Sequence, residues 1–450
     1  MHVTHLLAIA LLLFPLTQEP RPPAAARPGK VRVSTHLLAD DAGEFSALGA
    51  SLFWAAWAYK NDRPRLDSHL KLLADHHFDY IRVLGVVGRQ PYWAGREVDW
   101  RWPDYKEVIA GLTDYTYDRY GLRVEWTIFA DADQMIPDRA DRFRLVDTFL
   151  EMARGREHKI MHFEVANESW QNGFGGQEGI TQIREIARYL ASRTEIPVAI
   201  SDSQGHTCAD HRTLYKDVAV EIMTEHFPRD VDGALGRWDP VLAPWRNHDC
   251  AGLPPVISSN EPIGPGSSVE SETDPIRIVA GAVSAYMSGS GLYVFHTDAG
   301  VWGREPLADM SGAQQALAGL SAMKSYLPPD IPNWQHTLFR QDGDANAGIQ
   351  PFLPVAGEKR GALATADAKD GAREVLTSVT GGQFVVVPIG IIEGVTLEAR
   401  RGVTFDVLHP LSGEALAHHT LKAGQTVRIT GQPVLILKGT FDGQDTPKNW

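Results

Sequence analysis

The chain is expected to fold as an α/β protein: a (β/α)8 barrel followed by a small all-β sandwich. Three observations carry that expectation. Between positions 47 and 327, short apolar runs alternate with segments of helical spacing, eight times over. That is the pattern of parallel strands joined by right-handed crossovers, and eight units over roughly 280 residues suit a closed barrel. After Pro328-Pro329 the helical spacing stops, and short alternating runs separated by Gly-Gly and Ser-Gly turns take over, as in a sandwich of about 100 residues. Finally, two of the apolar runs end in the same dipeptide, Asn-Glu.

In chain order, 31–57 reads as a strand pair, with a turn at Asp41-Ala42-Gly43, leading into the first barrel strand at 47–54. Leu66, Leu70, Leu72 and Leu73 give 66–77 a helical period. The run 80–87, YIRVLGVV, is a strand with Arg82 inside it, and 105–120 is a helix. Strands at 122–129, 162–166, 197–201, 221–226, 256–259 and 292–296 then alternate with helices at 140–154, 180–193, 214–219, 241–248, 275–287 and 312–327. The sandwich runs are 374–379, 383–388, 395–399, 403–408, 426–429 and 434–437.

The domains expected are a signal peptide at 1–17, a proline-rich spacer at 18–30, the barrel at 31–329, the sandwich at 330–443 and a loose polar tail at 444–450. The apolar run 6–16 is too short to span a bilayer, no stop-transfer segment follows it, and 18–30, QEPRPPAAARPGK, should be extended. These features predict a secreted or periplasmic protein with no membrane partner after signal cleavage. A net charge of −13 over 450 residues argues against a nucleic-acid partner, because phosphate binding needs clustered Lys and Arg. It suits a neutral polymer or a small substrate. Cys208 and Cys250 are the only cysteines, and an even count in an exported chain invites a disulfide. Their expected places argue the other way: Cys208 follows a strand, whereas Cys250 precedes one, at the opposite end of the barrel.

The chemistry is expected at Asn167-Glu168 and Asn260-Glu261. Among the asparagines only these two precede glutamate, and the glutamates stand 93 residues apart, each closing a strand-like run. Barrel enzymes place catalytic groups at the C-terminal ends of their strands. Two carboxylates on different strands are what glycoside hydrolysis requires, one to protonate the leaving oxygen and one to attack the anomeric carbon. No cofactor or metal is needed for that chemistry.

With these motifs the chain resembles the retaining glycosidases of glycoside hydrolase clan A, barrel enzymes that include cellulases, mannanases and exo-acting β-glycosidases. The resemblance covers most of 31–327 and rests on Asn167 and Glu168 at the fourth strand end and Glu261 at the seventh. The phrase DDAGEFSALGAS resembles the strand pair that closes the barrel floor in many members, and a compact C-terminal sandwich is a common appendage. The resemblance implies that Glu168 is the acid/base, that Glu261 is the nucleophile held ionised by Arg82, and that Asn167 donates to the sugar 2-hydroxyl. It implies a carbohydrate partner bound by Asn167, Arg82, His226, His296 and aromatic side chains near strand ends: Trp54, Trp126, Trp170 and Trp302, with Trp57 and Phe129 as further stacking candidates. Two departures stand out. The eighth strand, LYVFHTDAGVWG, has no strand-end tryptophan, which leaves Trp302 or His296 to line the subsite. The sixth ends in Glu225-His226, where many members carry a tyrosine nearby.

Two other readings remain open from the sequence. A barrel metallohydrolase would draw ligands from His206, His211, His296 and Asp298, near predicted strand ends, although no His-x-His closes the first strand. A non-catalytic carbohydrate-binding barrel would need one carboxylate misplaced. The G-x-S-x-G elbow of the commonest hydrolase rival is absent.

Overall fold

The computed structural model describes residues 26–88, 91–229, 236–247, 250, 253–266, 271–339, 350–354, 374–390 and 394–443. The expected signal peptide, positions 18–25 of the spacer, and the tail 444–450 lie outside the described residues.

Eight parallel strands close into a barrel: β4 (Ala47–Ser51), β5 (Tyr80–Leu84), β6 (Arg123–Phe129), β7 (Ile160–Ala166), β8 (Val198–Ala199), β9 (Ile222–Glu225), β10 (Val256–Ser259) and β11 (Ser290–Phe295), each paired with its neighbour and β11 with β4. The eight-unit reading therefore holds. Beneath the strands' N-terminal ends lies an antiparallel sheet of three strands rather than two, β1 (Arg32–Ser34), β2 (Leu37–Asp40) and β3 (Gly43–Phe45). Leu38 and Phe45 pack there against Tyr80, Met161, Ile222 and Leu292 and plug the floor.

Alternation along the strands decides what fills the barrel and what faces the helices. Arg82, Glu125, Thr127, Glu164 and Thr224 are all buried and meet one another inside. Arg82 is level with Glu125, and Thr127 with Glu164. Because the side-chain period of a strand is two, Val83, Trp126, Phe163 and Val165 must point outward, and they belong to the large apolar core.

The outer layer comprises α1 (Ala55–Asn61), α2 (Arg63–Asp75), α3 (Tyr105–Tyr120), α4 (Ala132–Met135), α5 (Arg139–Ala153), α6 (Gly176–Ala191), α7 (Cys208–Tyr215), α8 (Asp239–Leu242), α9 (Pro244–Asn247), α10 (Pro275–Met287), α11 (Asp298–Val301) and α12 (Ala313–Tyr326). The first barrel strand, expected over 47–54, stops at Ser51, and 55–61 is helical. No helix among the described residues is long and apolar enough to cross a membrane.

The sixth unit departs from expectation: in place of one helix at 241–248 it has two of four residues each. That departure corrects the cysteine reading. Cys208 and Cys250 form a disulfide with Cα atoms 5.3 Å apart. Helices this short do not carry the chain down the full height of the barrel. Cys250 therefore stays beside Cys208 at the start of α7.

The C-terminal domain is a sandwich. A six-stranded antiparallel sheet, in the order β12 (Gln335–Phe339), β14 (Glu374–Thr380), β15 (Gln383–Ile389), β20 (Ile436–Phe441), β17 (Val403–Leu408), β18 (Ala415–Leu421), packs on a three-stranded one of β13 (Phe352–Pro354), β16 (Val395–Ala399) and β19 (Thr426–Ile429). Strands β12, β13 and β18 are additional to those expected. In β15, Phe384 and Val386 enter the sandwich core, while Val385 and Val387 join the core of the barrel. That two-sided burial is why the run reads QFVVVPI. Polar contacts seal the seam: Lys438 Nζ donates to the Tyr326 carbonyl at 2.8 Å, and Tyr326 Oη to that of Pro410 at 2.9 Å.

Candidate active site

The C-terminal ends of β4, β5, β6, β7, β10 and β11 and the loops beyond them surround a pocket of about 460 Å³. Asn167, Glu168, Glu261, His296 and Trp302 line it. The fourth and seventh strands deliver the two glutamates to one place. Oxygens of Glu168 and Glu261 and a nitrogen of His226 lie within 4.8 Å of one another.

Local structure sets each carboxylate differently. Asn167 follows β7 directly, with its N–H donated to the Phe129 carbonyl at 2.9 Å. Glu168 then takes a left-handed backbone, φ 34°, a conformation that non-glycine residues rarely hold without constraint. The Ser169 N–H, donated to Ser201 Oγ at 2.9 Å, helps to hold it there. The turn lifts Glu168 to the pocket wall, where Gln171 Nε2 donates to it and its side chain is 19% exposed. Glu261 is 5% exposed.

The deeper carboxylate sits among cations. Arg82 Nη1 donates to Glu261 Oε1 at 2.9 Å, and Arg229 Nη2 lies 3.6 Å from Oε2. His226 Nδ1 is 3.2 Å from Glu168 Oε1 and 3.7 Å from Glu261 Oε2. Burial works against the charged form of Glu261, but the positive field of His226, Arg82 and Arg229 outweighs it and holds the carboxyl well below the usual range. Burial also opposes charge on His226, yet Glu261, Asp202 and Glu168 push it up to about 9, so it is a cation at neutral pH. His296 takes the opposite course. Burial pushes it down to about 3, leaving a neutral ring whose Nδ1 contacts Ser51 Oγ at 2.9 Å and whose Nε2 stands 3.8 Å from Glu261 Oε2.

Beneath the pocket Arg82 gathers the inner layer. Its Nη2 donates to Glu164 Oε2 at 2.7 Å and to Asn167 Oδ1 at 2.8 Å, and its Nε lies 3.2 Å from Glu125 Oε1. Glu164 is also held by Thr127 Oγ1, Thr224 Oγ1 and Asn260 Nδ2 at 2.6, 2.7 and 3.1 Å. Since Oδ1 of Asn167 faces Arg82, its Nδ2 is the group left to meet a ligand.

No family model matches the chain, and no curated protein sequence does either. Solved structures do match. One described as a glycoside hydrolase aligns with a TM-score of 0.60 and 10% identity, over 93% of this chain and 98% of that one. A family 5 glycoside hydrolase from Bacteroides vulgatus aligns with a TM-score of 0.64 and 10% identity, over 94% and 96%. The chain shares the fold of these two structures. A conserved exported protein from Bacteroides fragilis shares it at a TM-score of 0.51 and 9% identity, over 87% and 96%. At such identities the likeness establishes architecture, and activity has to be reasoned from side chains.

Within this fold the expected site residues divide. Asn167, Glu168, Glu261, His296 and Trp302 converge on the pocket. Arg82 and His226 touch the carboxylates but lie buried below the open space rather than lining it. The other tryptophans are elsewhere. Trp126 points outward, its Nε1 donating to Thr113 Oγ1 of α3 at 3.1 Å and its ring against Phe149. Trp54 is buried against His69 of α2, donating to the Ala299 carbonyl at 2.8 Å. Trp170 stands outside the lining, as do Trp57 and Phe129.

The aromatic wall is instead built by Phe53, Trp93 and Trp302, with the two indole rings 5.1 Å apart. Asp131, Asp133 and Arg229 are further lining groups absent from the expected set. Asp131 and Asp133 follow β6 directly, so a strand-end carboxylate was the signal that could have found them. Trp93 and Arg229 belong to the long loops after the second and sixth strands, where sequence spacing carries no register. The four possible metallohydrolase ligands do not assemble: His206 and His211 meet Glu225, whereas His296 meets Glu261 and Asp298 begins α11.

Proposed function

We propose that this protein is a retaining glycoside hydrolase that cleaves β-linked glycosides or polysaccharides by double displacement. The observation that carries the reading is the approach of Glu168 and Glu261 oxygens to within 4.8 Å. Retaining enzymes hold their carboxyl groups about 5–5.5 Å apart, and inverting ones about 6.5–9.5 Å, to admit a water between.

The two environments fit two roles. Glu261, ionised and low in the pocket, attacks the anomeric carbon and forms a glycosyl ester as the C–O bond to the leaving group breaks. Glu168, on the exposed wall, gives its proton to the departing oxygen, then takes one from the water that opens the ester. Asn167 Nδ2 is placed to donate to the sugar 2-hydroxyl. Trp93, Trp302 and Phe53 supply aromatic faces for sugar rings. The absent strand-end tryptophan is made good by Trp302, reached from the turn after α11. A non-catalytic role is not favoured, because both carboxylates converge.

Secretion or residence in the periplasm belongs to the same proposal. It rests on the segment 1–17 and is supported by the Cys208–Cys250 bridge, which suits an oxidising compartment. The test is a screen of aryl β-glycosides and plant or microbial polysaccharides, with the anomer of the first product followed by NMR. β-Product from β-substrate supports the reading; initial α-product contradicts it.

A further inference from the structure

Next to His226, whose Nδ1 also lies 3.8 Å from Asp202 Oδ2, a second set of ionisable groups converges that the proposed reaction does not use. Asp202 follows β8, Glu225 closes β9, and His206 and His211 come from the loop and helix after β8. His206 Nδ1 is 3.5 Å from Asp202 Oδ1 and 3.4 Å from Glu225 Oε1, and the three atoms share a space 4.8 Å across. Asp202 and Glu225 are each 1% exposed. Both oxygens of Glu225, Oδ2 of Asp202 and both ring nitrogens of His211 are buried with no well-directed hydrogen bond among the described residues. The two carboxylates are met there by histidine nitrogens, His206 at both and His211 at Glu225, so imidazole and carboxylate donors face one another in a buried space, a set that suits a cation.

The separations say which cation. Zinc bonds of about 2.0–2.2 Å in a tetrahedron set their ligand atoms roughly 3.3–3.6 Å apart. The two distances from His206 Nδ1 fall in that range. A mixed imidazole and carboxylate set suits zinc and similar borderline cations, whereas calcium and magnesium take oxygen ligands. His211 Nε2 abuts the other oxygen of Glu225, the place of an outer partner that orients a ligating carboxylate. The His206 side chain is 30% exposed, which opens a path from solvent and room for water as the fourth ligand. The bridge at Cys208 ties down the segment between the two histidines.

We propose that Asp202, His206 and Glu225 form a binding site for a divalent transition-metal ion, zinc foremost, that clamps the ends of β8 and β9 beside the pocket. The Asp202 carboxylate also accepts the His226 N–H at 3.1 Å, so the clamp positions the strand end that carries His226. The site is distinct from Glu168, His226 and Glu261, and it does not depend on the glycosidase reading.

The test uses the full chain, stripped with chelator and titrated with zinc by calorimetry, with cobalt(II) as a spectroscopic probe and thermal unfolding as a second readout. The expected result is saturable binding of one ion per chain, tetrahedral cobalt absorption and a Tm raised by several degrees. His206→Ala and His206→Gln should each weaken binding at least tenfold, whereas Glu168→Gln should leave it unchanged. Two variants at this half-buried histidine guard against a folding defect in either. Non-saturable binding, wild-type affinity in both His206 variants, or loss of binding in Glu168→Gln would overturn the proposal.

Discussion

Arg82, on the second barrel strand, donates to Glu261, on the seventh, at 2.9 Å, and with its other terminal nitrogen donates to Asn167 beside Glu168 at 2.8 Å. One planar guanidinium thus sets the charge of one proposed catalytic group and the orientation of the neighbour of the other. Lysine has no second arm with which to do this.

Arg82→Lys is therefore expected to lower kcat/KM by about 10²–10³-fold, the usual cost of losing one preorganised electrostatic contact. The acid limb of the pH–rate profile should move to higher pH, because Arg82 is among the charges that hold Glu261 low. Glu164 and Glu125 also lose their partner, so urea unfolding should show a loss of about 3 kcal/mol. Wild-type kinetics would reduce Arg82 to a structural ion pair.

The bridge between Cys208 and Cys250 spans 42 positions. By loop entropy, removing it should cost roughly 4 kcal/mol at most. Paired Cys208→Ser and Cys250→Ser substitution is expected to lower the unfolding free energy by about 2–4 kcal/mol, and reductant should do the same to the native chain. Identical melting with and without reductant would show that the bridge contributes nothing.

His69 lies buried against the Trp54 ring, its nitrogens without hydrogen bonds, and burial pushes its pKa down to about 4. A base whose folded pKa is depressed leaves stability complete above the unfolded value near 6.5, and loses it as pH falls towards 4, where the unfolded chain takes up the proton first. The loss attributable to His69 is on the order of 3 kcal/mol. His69→Leu should flatten the stability profile between pH 6.5 and 5, measured by chemical denaturation. An unchanged slope would assign acid sensitivity to other groups.

Much of this was legible in the sequence, for identifiable reasons. The barrel strands are buried on both sides and read as largely apolar runs, so YIRVL and HFEVA declared themselves. The repeated Asn-Glu named both carboxylates. Strand alternation held one more lesson: if Glu125 and Thr127 face inward, Trp126 faces the helices, and it was never placed to stack on a ligand. What stayed hidden depends on chain reversals that no period encodes. Trp93 and Arg229 reach the pocket from long loops, and the cysteines meet in a sixth unit whose described residues hold only short helices. Strand β18, ALAHHTL, is largely exposed along its length, so it has little apolar pattern to show.

The central claim is that two chemically identical side chains play different parts, and azide separates them most directly. Glu168→Ala removes the proton donor, so substrates with poor leaving groups should lose far more rate than activated aryl glycosides. Azide should restore turnover of the activated substrate and give the β-glycosyl azide, because a small anion opens the intermediate without a general base. Glu261→Ala should be inactive on both substrate types, and any azide product should be the α-anomer. A folded Glu261→Ala protein that keeps normal rates would contradict the assignment.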